Sequence, residues 1–456
     1  MIQRMIALTH QDYCFIINNY LPPSKIHTMK HLFLLVFVLA ITITSTKGQT
    51  LSKTEKKIVT NIDAGMPAAL QLLKESVNIN SGTFNIAGVK KTGELFAKEL
   101  EALGFTVTWI TMPDSIKRAG HLVAMRKGKK GKRVLLIGHL DTVFEPDMPP
   151  NPFTMLNDTT ATGQGVVDMK GGDVIVIAAL KALHQQKLLD NTTITVYFTG
   201  DEENAAMPHS VSRGDFIERS KQHDIALAFE SAMSMDTVTT ARRGASEWKL
   251  EVEGKQAHSS GIFRVGYGSV YEAARIVNTF REKLSTQPFL TFNPALFIGG
   301  SDVQYDAVAQ KGSVSSKTNI ISPRTVVIGD LRFLSEEQKE RARDTMRMIV
   351  AEHLAGTNAT ISFKDGIPSM PPTAGNDSLR QLTSDISETL GYGIVYAGDP
   401  GKRGAGDISY VADYLNCLDG LGASGNGSHA PGETINLAEY PKLIKRTALM
   451  IYRLTR

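Results

Sequence analysis

At 456 residues, with 42% hydrophobic and 21% charged residues, the chain has an ordinary globular composition and is long enough for two or three domains. Its formal charge of +4 makes it mildly basic, and with basic residues dense in one place alone no nucleic-acid partner is expected. The one dense basic run, RKGKKGKR (Arg126 to Arg133), is expected to be an exposed turn between two strands, a solvated hairpin tip.

Met29 opens a lysine, an apolar run from Leu32 to Ile43, and small or polar residues up to Gly48. That order is the pattern of a secretory signal peptide, and the run is shorter than the about 20 apolar residues of a membrane span. Residues 1–48 are therefore set aside as a leader, with the signal peptide over about 29–48, and a secreted or periplasmic protein with no membrane span after leader removal is expected. The competing reading is an uncleaved N-terminal anchor. The only cysteines are Cys14 and Cys417, and with the leader gone Cys417 alone can close no internal disulfide.

From Leu51 to Leu103 the pattern is helical, with amphipathic stretches over Ala68–Val77 and Glu94–Leu103. Strands are expected over Phe105–Thr111, His121–Arg126 and Val134–Ile137, a helix over Gly171–Gln186, and buried strands over Thr192–Gly200 and Asp224–Glu230. Buried strands alternating with helices predict an α/β layer with a mostly parallel sheet. The texture changes near Arg242, where Ser246–Gln256 alternates apolar and polar residues as a half-exposed antiparallel strand does. A helix (Ser269–Lys283), strands near Pro294–Gly299 and Thr325–Phe333, a helix opened by a capping box at Ser335 and Gln338, and a strand over Ala359–Gly366 come next. The expected domains are 49–241, an inserted α+β domain over 242–367, and 368–456 completing the first.

The buried strands of the larger layer end in residues that bind metals. GHLDT gives His139 and Asp141, which lie two apart and so share one side of an extended strand. GQGVVDMKGG puts Asp168 in a glycine-rich turn before a helix. GDEEN gives Asp201, Glu202 and Glu203, LAFE ends on Glu230, and GNGSHAPGE carries His429. In open α/β sheets ligands gather beyond the carboxyl ends of the strands. Carboxylates and imidazoles crowded there repel one another unless cations neutralise them, and this donor set without thiolate suits zinc. The surplus of carboxylates over one zinc's needs points to two ions sharing a carboxylate.

In this order the motifs resemble the M20 family of co-catalytic metallopeptidases, and most of all its glutamate carboxypeptidase branch. The resemblance runs from about residue 60 to the C-terminus and implies an inserted lid or dimerisation domain and a homodimer through it. It implies that Asp168 bridges two divalent ions, zinc for preference. His139 and Glu230 would complete one ion's ligands, and Glu203 and His429 the other's. Glu202 would be the general base, and Asp141 would hold the His139 ring and fix its tautomer. In the inserted domain it implies His258 reaching the partner's site, Asn319 near the oxyanion, and Arg332 gripping a substrate carboxylate. His258 as plain surface, and Arg332 as a sheet-face residue paired with Asp330, are the competing readings. Gly404 to Asp407 falls where the family has a Gly-Gly-Ser/Thr-Asp turn, and Ala405 and Gly406 depart from it. Gly420, Gly422 and Gly425 fit GxGxxG without the βαβ context that a dinucleotide site requires.

The function expected is hydrolysis of an amide bond that releases an amino acid from a small peptide or an N-acyl amino acid. A deacylase, desuccinylase or dipeptidase built on the same site stays open, as does a non-catalytic binding protein.

Overall fold

A computed structural model describes residues 50–456; the expected leader and Cys14 lie outside the described residues. Helix α1 (Lys53–Val77) begins at a reciprocal capping box, in which Glu55 N–H donates to Ser52 Oγ and Ser52 N–H donates to the Glu55 carboxylate. The helical pattern expected from 51 to 103 is broken. Residues 78–85 form a loop, and Asn85 caps a second helix, α2 (Ile86–Ala102), by accepting from Gly88 N–H.

Strands β1 (Thr106–Ile110), β2 (His121–Arg126), β3 (Lys130–His139), β4 (Thr192–Thr199), β5 (Ile225–Ala228) and β12 (Asn416–Leu418) form one six-stranded sheet, ordered β1-β2-β4-β3-β5-β12. The last four of these are mutually parallel, and β1 and β2 are antiparallel additions at one edge. The basic run is therefore no hairpin tip, because β4 lies between β2 and β3. Val134–Ile137 is buried on both faces, so β3 takes an interior parallel position, and Lys129 and Lys130 cross the start of β4 by donating to Asn191 O. Helix α3 (Lys170–His184) packs on α1, and α7 (Tyr440–Thr455) packs on both. Each fully buried Val, Leu or Ile in this layer contributes about 1.5–3 kcal/mol relative to exposure.

A second sheet has its own core. Strands β6 (Gly244–Gly254), β7 (Thr291–Gly300), β10 (Arg324–Phe333) and β11 (Thr357–Asp365) run antiparallel in the order β7-β10-β6-β11. Along β6, Trp248, Leu250 and Val252 point inward while Lys249 and Glu251 point outward. The inward set packs against α4 (Gly268–Leu284) and α5 (Glu336–Ala351) through Phe280 and Met346. The α5 start departs from a capping box: Gln338 N–H donates to Ser335 Oγ, but the Gln338 side chain accepts from Leu334, one residue ahead of the cap. The hairpin β8–β9 (Asp302–Asp306 and Lys311–Ser315) was not anticipated, because its polar residues lack a long apolar alternation. Helix α6 (Ala374–Thr389) precedes β12. Among the described residues no helix is long and apolar enough to cross a membrane.

Candidate metal centre

Because β3, β4 and β5 are parallel, their carboxyl ends open on one edge. His139 is the last residue of β3. Asp201, Glu202 and Glu203 come directly after β4, and Glu230 lies two residues beyond β5. Asp168 comes from the turn ahead of α3. Close backbone approach holds these segments together. A Cβ at Gly172 or at Gly422 would lie 2.0 Å from the Phe229 carbonyl oxygen, one residue before Glu230. Only glycine fits at either place, so Gly422 of the GxGxxG match serves backbone packing. His429 sits at φ 65 in the loop between the short strands Gly425–Asn426 and Thr434–Asn436.

Two groups of donors form there, His139–Asp168–Glu230 and Asp168–Glu203–His429. His139 Nε2 lies 3.4 Å from Asp168 Oδ1 and 3.7 Å from Glu230 Oε1. His429 Nε2 lies 3.2 Å from Asp168 Oδ2 and 3.0 Å from Glu203 Oε2. Asp168 thus turns one oxygen to each group. The groups fit a pair of divalent cations on a direct observation: His139 Nε2 is fully buried with no hydrogen-bond partner, aimed at two carboxylates. A buried polar atom of this kind is costly unless something binds it.

The electrostatics have the same sense. Burial pushes the Glu230 carboxyl up to about 8, with the Asp168 charge adding to it. Burial and then Glu230 push Glu202 well above the carboxylate range. Hydrogen bonds to Asp168 and Glu203 push His429 up to about 11. Burial opposes the charge on Asp168, yet the two imidazoles hold its carboxyl below the usual range. The cluster calls for positive charge, which is what divalent cations supply. Glu202 belongs to neither donor group, and its carboxylate makes no hydrogen bond among the described residues.

Asp141 is fully buried and approaches the His139 ring with both its main-chain carbonyl and its carboxylate. Its main-chain carbonyl, 3.0 Å from His139 Nδ1, is the nearest acceptor for the ring, while its carboxylate Oδ1 lies at 3.5 Å. The carboxylate also accepts from Thr83 Oγ1 and from the N–H groups of Glu202 and Glu203, at 2.7, 3.0 and 3.2 Å. It orders the turn that carries both glutamates.

Two supports were missed in the sequence. Glu433 is fully buried, and its carboxylate accepts from Gly165, Val167 and Asp168 N–H at 2.9, 2.7 and 2.9 Å. Arg213 is fully buried between Asp201 Oδ1 at 2.5 Å and Asp407 Oδ1 at 2.8 Å, and Asp407 also accepts from Thr199. Asp201 therefore faces away from the donor groups. Proximity of Glu433 to His429 in GNGSHAPGE was the only available signal for Glu433, and Arg213 carried none. Arg213→Leu leaves two buried carboxylates unpaired, and a stability loss of about 3–5 kcal/mol is expected in denaturant unfolding. A loss under about 1 kcal/mol would show that the pair carries no such weight.

The inserted-segment residues lie elsewhere. His258 Nδ1 contacts Ser260 Oγ at 2.9 Å, and Asn319 O accepts from Ser259 N–H. Arg332 Nε donates to Asp330 Oδ2 at 2.8 Å, the competing reading for that side chain. Among the described residues, none of the three makes a hydrogen bond or ion pair to the acidic cluster within one chain.

A family model described as Peptidase family M20/M25/M40 matches residues 135–453. Carboxypeptidase G2 of Pseudomonas sp. (strain RS-16) is 27% identical over 395 residues, spanning 84% of this chain and 89% of that protein. The succinyl-diaminopimelate desuccinylase of Magnetococcus marinus is 26% identical over 376 residues, 79% of this chain and 92% of that protein. In fold the chain is similar to the crystal structure of aminopeptidase PepT from Bacillus cereus ATCC 10987. The TM-score is 0.68 at 17% identity, covering 85% of this chain and 98% of that one.

Proposed function

From the premise that the chain belongs to peptidase family M20/M25/M40, and so to a family of hydrolytic metalloenzymes, we propose that it cleaves an amide bond to release an amino acid. The substrate is a small peptide or an N-acyl amino acid, as for a carboxypeptidase. The observation that carries this reading is Asp168 shared between two donor groups, with Glu202 outside both.

His139, Asp168 and Glu230 would hold one divalent ion, and Asp168, Glu203 and His429 the second. Zinc suits imidazole with carboxylate. Two such ions supply Lewis acidity and make water a nucleophile at neutral pH. Glu202 accepts the proton of the attacking water on a carboxylate oxygen as the C–O bond forms. It returns that proton to the amine nitrogen as the C–N bond breaks. Asp141, bound to the N–H groups of residues 202 and 203, keeps the Glu202 main chain fixed through both transfers.

A deacylase or desuccinylase on the same site is the second reading, favoured by the likeness to the desuccinylase. The test strips the protein with a chelator, adds zinc back, and measures free amino acid released from dipeptides and N-acyl amino acids. Metal-dependent release is expected, and the preferred substrate separates the two readings. No release from any member by zinc-loaded protein would favour a binding protein that kept the fold.

A further inference from the structure

The basic run of residues 126–133 lies at the pole of the main sheet opposite the metal centre. Lys130 begins β3 and His139 ends it, and its 10 residues at about 3.3 Å each separate the two by about 30 Å. Lys127, Lys129, Lys130 and Lys132 are exposed. Arg126 pairs with Asp190 at 3.3 Å and Arg133 with Asp224 at 2.6 Å, and Lys132 adds to the field on Asp224. Among the described residues no carboxylate lies within ion-pair distance of the four lysines. The N–H groups of Lys129 and Lys130 donate to Asn191 O, which fixes the main chain and leaves the side chains in water.

Both ends of the described chain meet this pole. Gly131 packs so closely on the Thr455 main chain, in the last turn of α7, that no Cβ would fit between them. Two residues before Thr455, Arg453 Nε donates to Glu55 Oε1 at 2.8 Å, in the first turn of α1. Residues 1–49 therefore join the described chain on the side where the basic run lies. Helix α1 adds Lys53, Lys56 and Lys57, exposed and spaced so that they share one helix face. Glu55 between them is buried and held by Arg453. Upstream in sequence stands the apolar run Leu32 to Ile43.

Unpaired lysines beside the point where an apolar segment joins suit a surface of anionic headgroups. Each lysine near such a surface contributes roughly fivefold in affinity, and salt screens the attraction. A polynucleotide is the poorer match, since no residue from 126 to 133 is aromatic and able to stack on a base. We infer that this pole is a docking surface for an anionic phospholipid bilayer, with the metal centre at the far end of the strands turned to solvent. The lysines supply selectivity for headgroup charge, which an apolar segment by itself does not.

Full-length wild type is compared with a variant carrying Lys127→Gln, Lys129→Gln, Lys130→Gln and Lys132→Gln. Each is sedimented with vesicles of phosphatidylcholine, alone or with about 30% phosphatidylglycerol, in about 0.1 M and about 1 M salt. Wild type is expected to bind the anionic vesicles about 10- to 100-fold more tightly than the neutral ones in low salt, and equally in high salt. The variant should lose about 10-fold or more of that preference. Its zinc isotherm and thermal unfolding should match wild type, because the four side chains make no ion pair in the fold. If the fourfold variant does not fold, Lys127→Gln and Lys132→Gln are read singly, each lowering the preference about fivefold. Equal binding of wild type to both kinds of vesicle, or an undiminished preference in the variants, overturns the docking surface. Duplex DNA is titrated into wild type in parallel, and tighter binding to it than to the anionic vesicles overturns the bilayer as the occupant.

Discussion

Glu202→Gln is expected to lower kcat about 10²- to 10⁴-fold while KM and zinc binding stay near those of wild type. Glutamine keeps the size of the side chain and its N–H bond to Asp141, but it cannot take a proton at the working pH. Metal binding should survive because Glu202 stands in neither donor group. Glu203, its neighbour, faces His429 at 3.0 Å, and Glu203→Gln should weaken zinc binding itself. The pair of variants separates proton transfer from ligation with substitutions one residue apart. Steady-state kinetics beside zinc calorimetry reads the difference, and a Glu202→Gln enzyme with kcat within a few-fold of wild type would remove this residue as the base.

Glu433→Ala is expected to weaken zinc binding about 10- to 100-fold, although Glu433 touches no position where an ion would sit. Its carboxylate gathers three N–H groups of one loop, from Gly165, Val167 and Asp168, and its own main-chain carbonyl accepts from Gly163 N–H. Alanine would leave three buried donors unpaired and free the turn that aims both oxygens of Asp168. Burial pushes the Glu433 carboxyl up to about 7 even against these hydrogen bonds, so the group is held at a cost that the loop geometry repays. Glu433→Gln keeps one oxygen for Val167 and Asp168 N–H and should fall between alanine and wild type. Zinc isotherms for the three proteins, with thermal unfolding of each without metal, separate loop positioning from general instability. Unchanged zinc affinity in Glu433→Ala would show that the Asp168 turn holds itself.

The donors were legible because each ends a locally recognisable segment. Val134–Ile137 is a buried run that stops at His139, and Ala226–Ala228 is one that stops just short of Glu230. Their supports were not. Glu433 reaches Asp168 across 265 positions, and Arg213 reaches Asp407 across 194, so no window of sequence contains both ends of either contact. The basic run departs from expectation for a related reason. Whether two consecutive strands pair is settled by which third strand can displace one of them, and β4 does so between β2 and β3.

The kinds of donor, and that they belong to metal chemistry, are set by the sequence alone, since basicity and ligand type are properties of a side chain. The division of roles among the carboxylates is decided only by the tertiary structure. Asp201, Glu202 and Glu203 are adjacent in sequence, yet Asp201 pairs with Arg213, Glu203 faces His429, and Glu202 remains outside both donor groups. A turn leaving a strand sends successive side chains in different directions. The partner waiting in each direction comes from a distant part of the chain.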